Sequence, residues 1–222
     1  YVMLVDNDDF IVPAGVGLSS DFLDAHPDYV SAGGLVLGMY VTGPSLSMVD
    51  NIVSGGCVSG LRSIYPVVSY DGPGSLQRVT SCLNRYAPTW YSLHRREDLL
   101  RVFDALVESR ISDVGVMELF VATMLAARGK QMQTASQVNY VRQLNSSSVG
   151  VHMADLMSRV FDGGMVSATH RLVEMLANVI ALDSISDEQR QQNAQQLLDA
   201  FTDYYRRQLV PISEATRRRH DV

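Results

Sequence analysis

The chain opens on Tyr-Val-Met-Leu-Val-Asp-Asn-Asp-Asp-Phe-Ile-Val-Pro, residues 1–13, and this stretch decides how the rest is interpreted. Its first five residues are apolar and favour β structure, which predicts a buried strand. Asp6, Asp8 and Asp9 follow at once, so the predicted strand ends in an acidic loop. Ligands of open α/β sheets bind beyond the carboxyl ends of the strands. Carboxylates placed there can hold a hard divalent cation, which in turn neutralises a diphosphate.

The segments after this loop continue an α/β pattern. Pro13 favours the start of a helix of about 11 residues, which should end before Pro27. Residues 29–41 are then predicted to form a second strand, so that a helix lies between two strands. Turn signals and composition further predict a functional loop or lid at 42–75, a short helix at 77–86 and a core strand at 89–94.

The rest of the chain is predicted to be helical. Apolar residues with helical spacing indicate amphipathic helices at 99–107 and 119–127, the second closed by Gly129. A polar segment follows and ends at residue 148. Three further helices are expected after it, at 150–161, 165–182 and 187–209.

The last predicted helix has a recognisable start. Ser186 and Gln189 have the spacing of a capping box, in which the serine side chain binds a backbone amide of the first turn. The predicted organisation is therefore an α/β portion, residues 1–130, followed by a helical C-terminal extension, residues 131–222.

Charge and composition narrow the possible functions. The formal net charge is −6, whereas proteins that bind nucleic acid usually present a basic face. No apolar run reaches the roughly 18–20 residues of a membrane helix, and the start of the chain lacks the basic segment of a signal peptide. Cys57 and Cys82 have no metal-binding spacing. We therefore expect a soluble, cytoplasmic protein without a transmembrane segment that does not bind nucleic acid.

Acidic residues are concentrated at the start of the chain. Residues 1–61 contain seven Asp and no Lys or Arg. A divalent metal would neutralise the three acids of the opening loop more directly than a cation from a distant part of the fold. Because residue 1 is not Met and the chain begins inside a strand-like run, we also expect upstream sequence to be missing.

Three stretches in the same order and spacing resemble a known family. The opening stretch, followed by Phe-Leu-Asp-Ala-His-Pro-Asp-Tyr-Val at 22–30, resembles the DxD region of family 2-like glycosyltransferases with the GT-A fold. Trp-Tyr-Ser-Leu-His-Arg-Arg at 90–96 resembles their later strand, which ends in one or two arginines before a helix. Met-Glu-Leu-Phe at 117–120, with Gly129 and Lys130 after it, is similar to their Glu-Asp helix start and distal Gly.

The third motif bears on the catalytic base. The second acid of the family's pair is its usual general base, and it maps onto Glu118 here. Met117 replaces the preceding acid, which is a departure from the family pattern. Asp113, five residues before Glu118, is the rival base.

The resemblance implies a partial GT-A mixed sheet, with an N-terminal half that carries much of the nucleotide pocket outside this chain. It also implies metal-dependent, inverting transfer of a sugar from a nucleotide-sugar donor to a hydroxyl of an unknown glycan, lipid or small-molecule acceptor. Asp8 would hold Mn²⁺ or Mg²⁺ on the diphosphate, Asp6 would contact the ribose or the metal, and Asp9 would support them. The base would be Glu118 or Asp113, and the phosphate oxygens would pair with Arg95 or Arg96.

Two other functions stay open. One is a haloacid-dehalogenase-like phosphatase, because Asp6-x-Asp8 after an apolar strand also resembles the nucleophile loop of that class. However, Phe10 stands where those proteins usually have Thr or Val, and no acidic pair follows the only lysine, Lys130. The other is a non-catalytic interaction module, helical or α/β, in which the acidic loop is incidental.

Overall fold

The computed structural model describes residues 1–42, 57–144, 163–183 and 186–220 of the chain. These residues form a mixed α/β fold, as predicted. The strands are β1 (Val2–Met3), β2 (Phe10–Ile11), β3 (Tyr29–Thr42), β4 (Cys57–Ser63), β5 (Leu93–His94) and β6 (Lys130–Leu144). The helices are α1 (Pro13–Ala25), α2 (Ser75–Asn84), α3 (Arg96–Ser109), α4 (Val114–Arg128), α5 (Gly164–Ala181) and α6 (Asp187–His220).

The six strands form one mixed sheet. Its order is β1-β5-β3-β6-β2, and β4 also pairs with β3. The long strands β3 and β6 are parallel, whereas every other pair is antiparallel. Because β5 is antiparallel to both β1 and β3, the strands β1, β3 and β6 all run in one direction. We call the end where these three strands finish the carboxyl end of the sheet, and the opposite end the amino end.

Most elements predicted from the sequence are present. The first helix and the strand after it lie where the sequence places them, and α2, α3 and α4 match predicted helices to within a few residues. The predicted helices at 165–182 and 187–209 correspond to α5 and α6. Ser186 accepts a hydrogen bond from the backbone N of Gln189 at 3.2 Å, which confirms the predicted cap.

The first strands differ from expectation. Val2 and Met3 are only half-buried and Val5 is exposed, so the opening strand is not a buried one. The reason is its position: within the described residues β1 has β5 on one side and no strand on the other. The predicted strand at 89–94 is confined to β5, and part of the predicted loop at 42–75 is the strand β4. Residues 43–56 and the helix expected at 150–161 lie outside the described residues.

The largest correction concerns residues 131–144, for which the sequence predicts part of the helical extension. They form most of β6, which is parallel to β3 from Tyr29 to Tyr40, and the predicted boundary at residue 130 coincides with the start of this strand. The sequence of β6 hides its nature because polar side chains such as Gln131 and Asn139 are buried in it. Alternation of apolar and polar residues, the usual signal of a strand, is therefore missing.

Polar groups also mediate the packing of α1 on β6. Gly15 lies so close to the strand that a Cβ atom there would be 1.9 Å from the carbonyl oxygen of Val138. One turn further along the helix, Ser19 Oγ accepts hydrogen bonds of 2.8 Å from Gln137 Nε2 and Asn139 Nδ2. The missing side chain of Gly15 and these buried hydrogen bonds together let the helix approach the sheet.

The apolar core lies around α4 instead. Phe120, Leu125 and most of their neighbours in this helix are buried against α2, α3 and α5. Leu197 and Phe201 of α6 belong to the same cluster. The last two helices therefore share one core with the sheet-covering helices.

Four arginines close the carboxyl ends of helices α1 to α4. The last carbonyl groups of a helix have no partner within the helix, and a cationic donor satisfies them well. Arg78 is the most buried example: its Nε donates to Ala126 O at 2.7 Å and its Nη2 to Ala127 O at 3.0 Å. The equivalent bonds at α1, α2 and α3 come from Arg95, Arg207 and Arg171.

Within the described residues, no helix has both the length and the apolarity that crossing a lipid bilayer requires.

Candidate active site

The direction of the strands brings distant segments together at the carboxyl end of the sheet. Asp6 follows β1 and so lies at this end. The helix α4 leads through Gly129 directly into β6, and Gln131 Nε2 donates to Ala122 O at 3.3 Å, so α4 packs back along the sheet. The first turns of α4, which contain Glu118, therefore return to the end where β6 finishes.

A cavity of about 630 Å³ occupies this position. Its charged lining residues are Asp6, Glu118 and Arg142. The walls are largely apolar and aromatic, which is typical of sites for small organic ligands, where a few polar groups fix the orientation. The aromatic lining residues are Tyr65, Trp90, Tyr91, Tyr204 and Tyr205.

The acidic loop is held in place by β6. The backbone N of Asp6 donates to the hydroxyl of Tyr140 at 3.0 Å, and Asp9 Oδ1 accepts from the backbone N of Gln143 at 2.9 Å. A turn between them is closed by a hydrogen bond of 3.2 Å from Asp9 N to Asp6 O. Burial raises the pKa of Asp9, although the bond from Gln143 and the nearby Tyr140 hydroxyl oppose that shift. Asp9 thus anchors the loop, while Asp6 and Asp8 are exposed.

This loop fits a cation that is shared with a ligand better than a metal held by protein alone. Among the described residues no group of three or more His, Cys, Asp and Glu could hold a metal ion. Asp6 and Asp8 nevertheless offer two exposed carboxylates, and one oxygen of Asp9 is buried with no hydrogen-bond partner in the described part of the chain. Mg²⁺ typically takes one or two carboxylates and completes its shell with phosphate oxygens and water. Asp6 and Asp8 are therefore the residues that could supply carboxylates to such an ion, and of the three acids of the loop only Asp6 lines the cavity.

The two candidate bases have different surroundings. Glu118 is exposed and lines the cavity together with Asp6. Asp113 is the N-cap of α4: its Oδ1 accepts a hydrogen bond of 3.0 Å from the backbone N of Val116, and it does not line the cavity. The geometry favours Glu118 over Asp113.

The predicted phosphate ligands Arg95 and Arg96 are placed elsewhere. The strand β5 runs opposite to β1, so the residues after it lie at the amino end of the sheet. There Arg95 donates to the carbonyl oxygens of Leu23 at 2.6 Å, His26 at 3.1 Å and Tyr29 at 2.8 Å. Arg96 is exposed at the start of α3. Neither lines the cavity.

The cavity contains a different arginine, Arg142 of β6. Its Nη1 donates to the hydroxyl of Tyr65 at 2.8 Å, and its Cζ lies 5.8 Å from the centre of the Tyr91 ring. The rings of Tyr65 and Tyr91 are themselves stacked, with centroids 5.8 Å apart. No motif in the sequence marks Arg142, because the segment that contains it lacks the alternation typical of a strand and is predicted to belong to the helical extension.

The helix α6 supplies one wall of the cavity through Tyr204, Tyr205 and Gln208. The hydroxyl of Tyr205 lies 2.8 Å from Thr169 Oγ1 of α5, which fixes its position. Burial raises the pKa of Tyr204, and the charge of Glu118 adds to that shift. The C-terminal helices, whose role the sequence left open, thus form part of the site.

In comparisons with known proteins, no family model, no curated protein and no solved structure matches this chain.

Proposed function

We propose that this chain is part of a glycosyltransferase with a GT-A-like catalytic domain, which transfers a sugar from a nucleotide-sugar donor to an acceptor hydroxyl with inversion. The observation that supports this proposal best is the single cavity that contains both Asp6 and Glu118. The first belongs to the motif that resembles the donor-binding DxD region, and the second to the motif that resembles the base-bearing helix.

The donor side of the proposed reaction involves the acidic loop. Asp8 and Asp6 would hold Mn²⁺ or Mg²⁺ against the diphosphate, with Asp9 fixing the loop on β6. When bound, such an ion stabilises the negative charge that develops on the leaving diphosphate. Arg142 is the cationic side chain in the same cavity, so it replaces Arg95 and Arg96 in the proposed pairing with phosphate oxygens.

The acceptor side involves Glu118. Its carboxylate takes the proton from the acceptor hydroxyl as that oxygen attacks the anomeric carbon, a role that contributes about 10²- to 10⁴-fold in rate. The aromatic walls offer flat apolar surfaces against which the apolar face of a sugar ring packs. Glycan, lipid and small-molecule acceptors all remain possible, since each can present a hydroxyl.

One observation argues against the phosphatase alternative. The only lysine, Lys130, begins β6 and therefore lies at the amino end of the sheet, away from Asp6. Its Nζ is 2.7 Å from Asp28 Oδ2. A phosphatase of that class needs its lysine beside the nucleophilic Asp, so the arrangement favours the transferase over it.

The test is calorimetric binding of UDP and GDP to the protein, with and without Mn²⁺. We expect binding that requires the metal and is lost in Asp8→Ala. Asp21→Ala is the matched control, because Asp21 is exposed on α1 outside the acidic loop. Absence of metal-dependent nucleotide binding in the wild-type protein would favour the interaction module instead.

A further inference from the structure

A second, smaller pocket adjoins the proposed active site. Its volume is about 340 Å³, and it shares Tyr204 and Gln208 with the larger cavity. These two residues are four positions apart in α6 and lie on one face of that helix. A molecule long enough to pass along this face therefore reaches both spaces.

The charge of the smaller pocket is uniformly positive. Arg85 and Arg207 line it, and no Asp or Glu is among its lining residues in the described part of the chain. Arg207 Nη2 donates to Leu83 O at 3.0 Å and to Asn84 Oδ1 at 3.3 Å, so neutral groups hold the guanidinium in place. Two cations without an acidic partner in a concave site attract an anion.

Tyr86 provides an independent indication. It lines the same pocket, and its hydroxyl is buried with no hydrogen-bond partner among the described residues. A buried hydroxyl without a partner costs stability, so such a group usually indicates a missing ligand or water. Burial raises the pKa of Tyr86 well above its usual value, and the nearby charge of Glu118 raises it further. The hydroxyl therefore keeps its proton and can donate it to an acceptor atom.

We infer that the Arg85–Arg207 pocket binds an anionic group, a phosphate or a carboxylate, carried by the acceptor molecule. The two guanidinium groups flank the anion, the Tyr86 ring closes the inner side of the pocket, and the shared face of α6 leads from it to the cavity that contains Glu118. An acceptor held in this way presents its hydroxyl at the proposed base. The identity of the ligand as the acceptor rests on the proposed transferase function, whereas the anion site itself does not.

The experiment is an NMR titration with inorganic phosphate and, separately, with glucuronate, in the absence of metal and nucleotide. We expect the chemical shifts of the amides near Arg85 and Arg207 to change during the titration. The probe that binds more tightly indicates whether the natural anion is a phosphate or a carboxylate. Arg85→Gln should weaken binding at least about 10-fold, in line with the loss of a charge-assisted hydrogen bond. Tyr86→Phe should weaken it less and should not lower the thermal stability, because it removes the unpartnered hydroxyl.

The control is Arg101→Gln, which removes an exposed arginine of α3 that does not line the pocket. If Arg101→Gln weakens anion binding as much as Arg85→Gln does, the attraction is general to the protein's charge and the proposed site is wrong. The site is also wrong if Arg85→Gln and Tyr86→Phe both bind the anion with wild-type affinity. The acceptor assignment is tested by transfer: Arg85→Gln should raise the KM for the acceptor while metal-dependent UDP or GDP binding stays intact. Unchanged KM with intact nucleotide binding contradicts the acceptor pocket alone, whereas absent nucleotide binding contradicts the transferase.

Discussion

The two ends of the sheet contain the same kinds of side chain and use them in opposite ways. At the amino end, Arg95 binds backbone carbonyls and Lys130 is paired with Asp28. At the carboxyl end, Asp6 and Glu118 line an open cavity instead. Arg95 and Lys130 at the amino end thus hold elements of the fold together, whereas Asp6 and Glu118 at the carboxyl end face a space that a ligand can enter.

The direction of a strand, more than the type of residue that follows it, determines which charged side chains reach the cavity. From the sequence alone, Arg95 and Arg96 after β5 are as suitable for pairing with phosphate oxygens as any other arginine. Because β5 is antiparallel to β1, Arg95 and the acidic loop are carried to opposite ends of the sheet. Arg142, near the finish of a strand parallel to β3, reaches the cavity without any motif around it.

The largest effect is expected at Glu118. Replacement by Gln keeps the shape but removes the base, so transfer should fall about 10²- to 10⁴-fold with unchanged affinity for the nucleotide. The measurement is the transfer rate with the donor that binding identifies. Asp113→Asn is the control: Asn also caps helices well, so folding and rate should both be retained. A rate lost in Asp113→Asn and kept in Glu118→Gln would reverse the assignment of the base.

Arg142 should show the next largest effect. Arg142→Gln removes the cation of the cavity and should weaken metal-dependent nucleotide diphosphate binding about 10- to 100-fold, since hydrogen bonds to charged groups contribute about 1.5–3 kcal/mol. Arg142→Lys keeps the positive charge but loses the planar guanidinium group that binds two phosphate oxygens at once. Its affinity for the nucleotide diphosphate should therefore lie between those of the wild type and Arg142→Gln. Calorimetry measures all three proteins. Wild-type affinity in Arg142→Gln would mean that the diphosphate binds elsewhere.

Arg95 should affect stability and not binding. Arg95→Ala leaves the carbonyls at the end of α1 without their donor, and we expect a loss of about 2 kcal/mol in the free energy of unfolding. Urea denaturation measures it, and nucleotide affinity should match that of the wild type. Arg96→Ala, at the exposed neighbour, should change stability by less than about 0.5 kcal/mol. Loss of nucleotide affinity in folded Arg95→Ala would place the phosphate at the amino end after all.

The smallest effect concerns the pair of Lys130 and Asp28, which is exposed and screened by salt. The hydrogen bond from Lys130 lowers the pKa of Asp28 below 3.8, and the same bond raises the pKa of Lys130 above 10.5. Because the pKa of Asp28 is lower in the folded state than in the unfolded state, the pair stabilises the fold at any pH above the unfolded-state pKa. This stabilisation is lost as the pH falls through the folded-state pKa. The slightly lower Tm expected for Lys130→Gln at neutral pH should therefore vanish in acid. A difference that persists at low pH would indicate lost packing instead.

The helices are predicted well because the residues that begin and end a helix lie within it or next to it in the sequence. Pro13 at the first position of α1 and Ser186 before α6 act within a single turn. Asp113 shows the limit of the same reasoning: its distance from Glu118 made it a rival base, yet its side chain serves as an N-cap. The difference lies in orientation, which spacing along the chain does not contain.

The strand β6 shows the opposite case. Its segment has polar residues at Gln131, Gln137 and Asn139, of which Gln131 and Asn139 are buried and Gln137 is half-buried, and their hydrogen-bond partners lie in the helices α4 and α1. Alternation is therefore absent from the sequence, and pairing with β3 defines the strand. Long-range pairing of this kind is not encoded in any local window.

By itself, the sequence determined the α/β class, the positions of most helices and the acidic loop, because composition and periodicity act over a few residues, and the resemblance of residues 117–120 to a family motif added Glu118 as a candidate. Only the tertiary structure decided that Asp6, Glu118 and Arg142 share one cavity, that Arg95 is a helix cap, and that α6 forms a wall of the site. These outcomes depend on the directions of strands far apart in the chain. Distance and orientation between such segments are set by the packing of the whole domain.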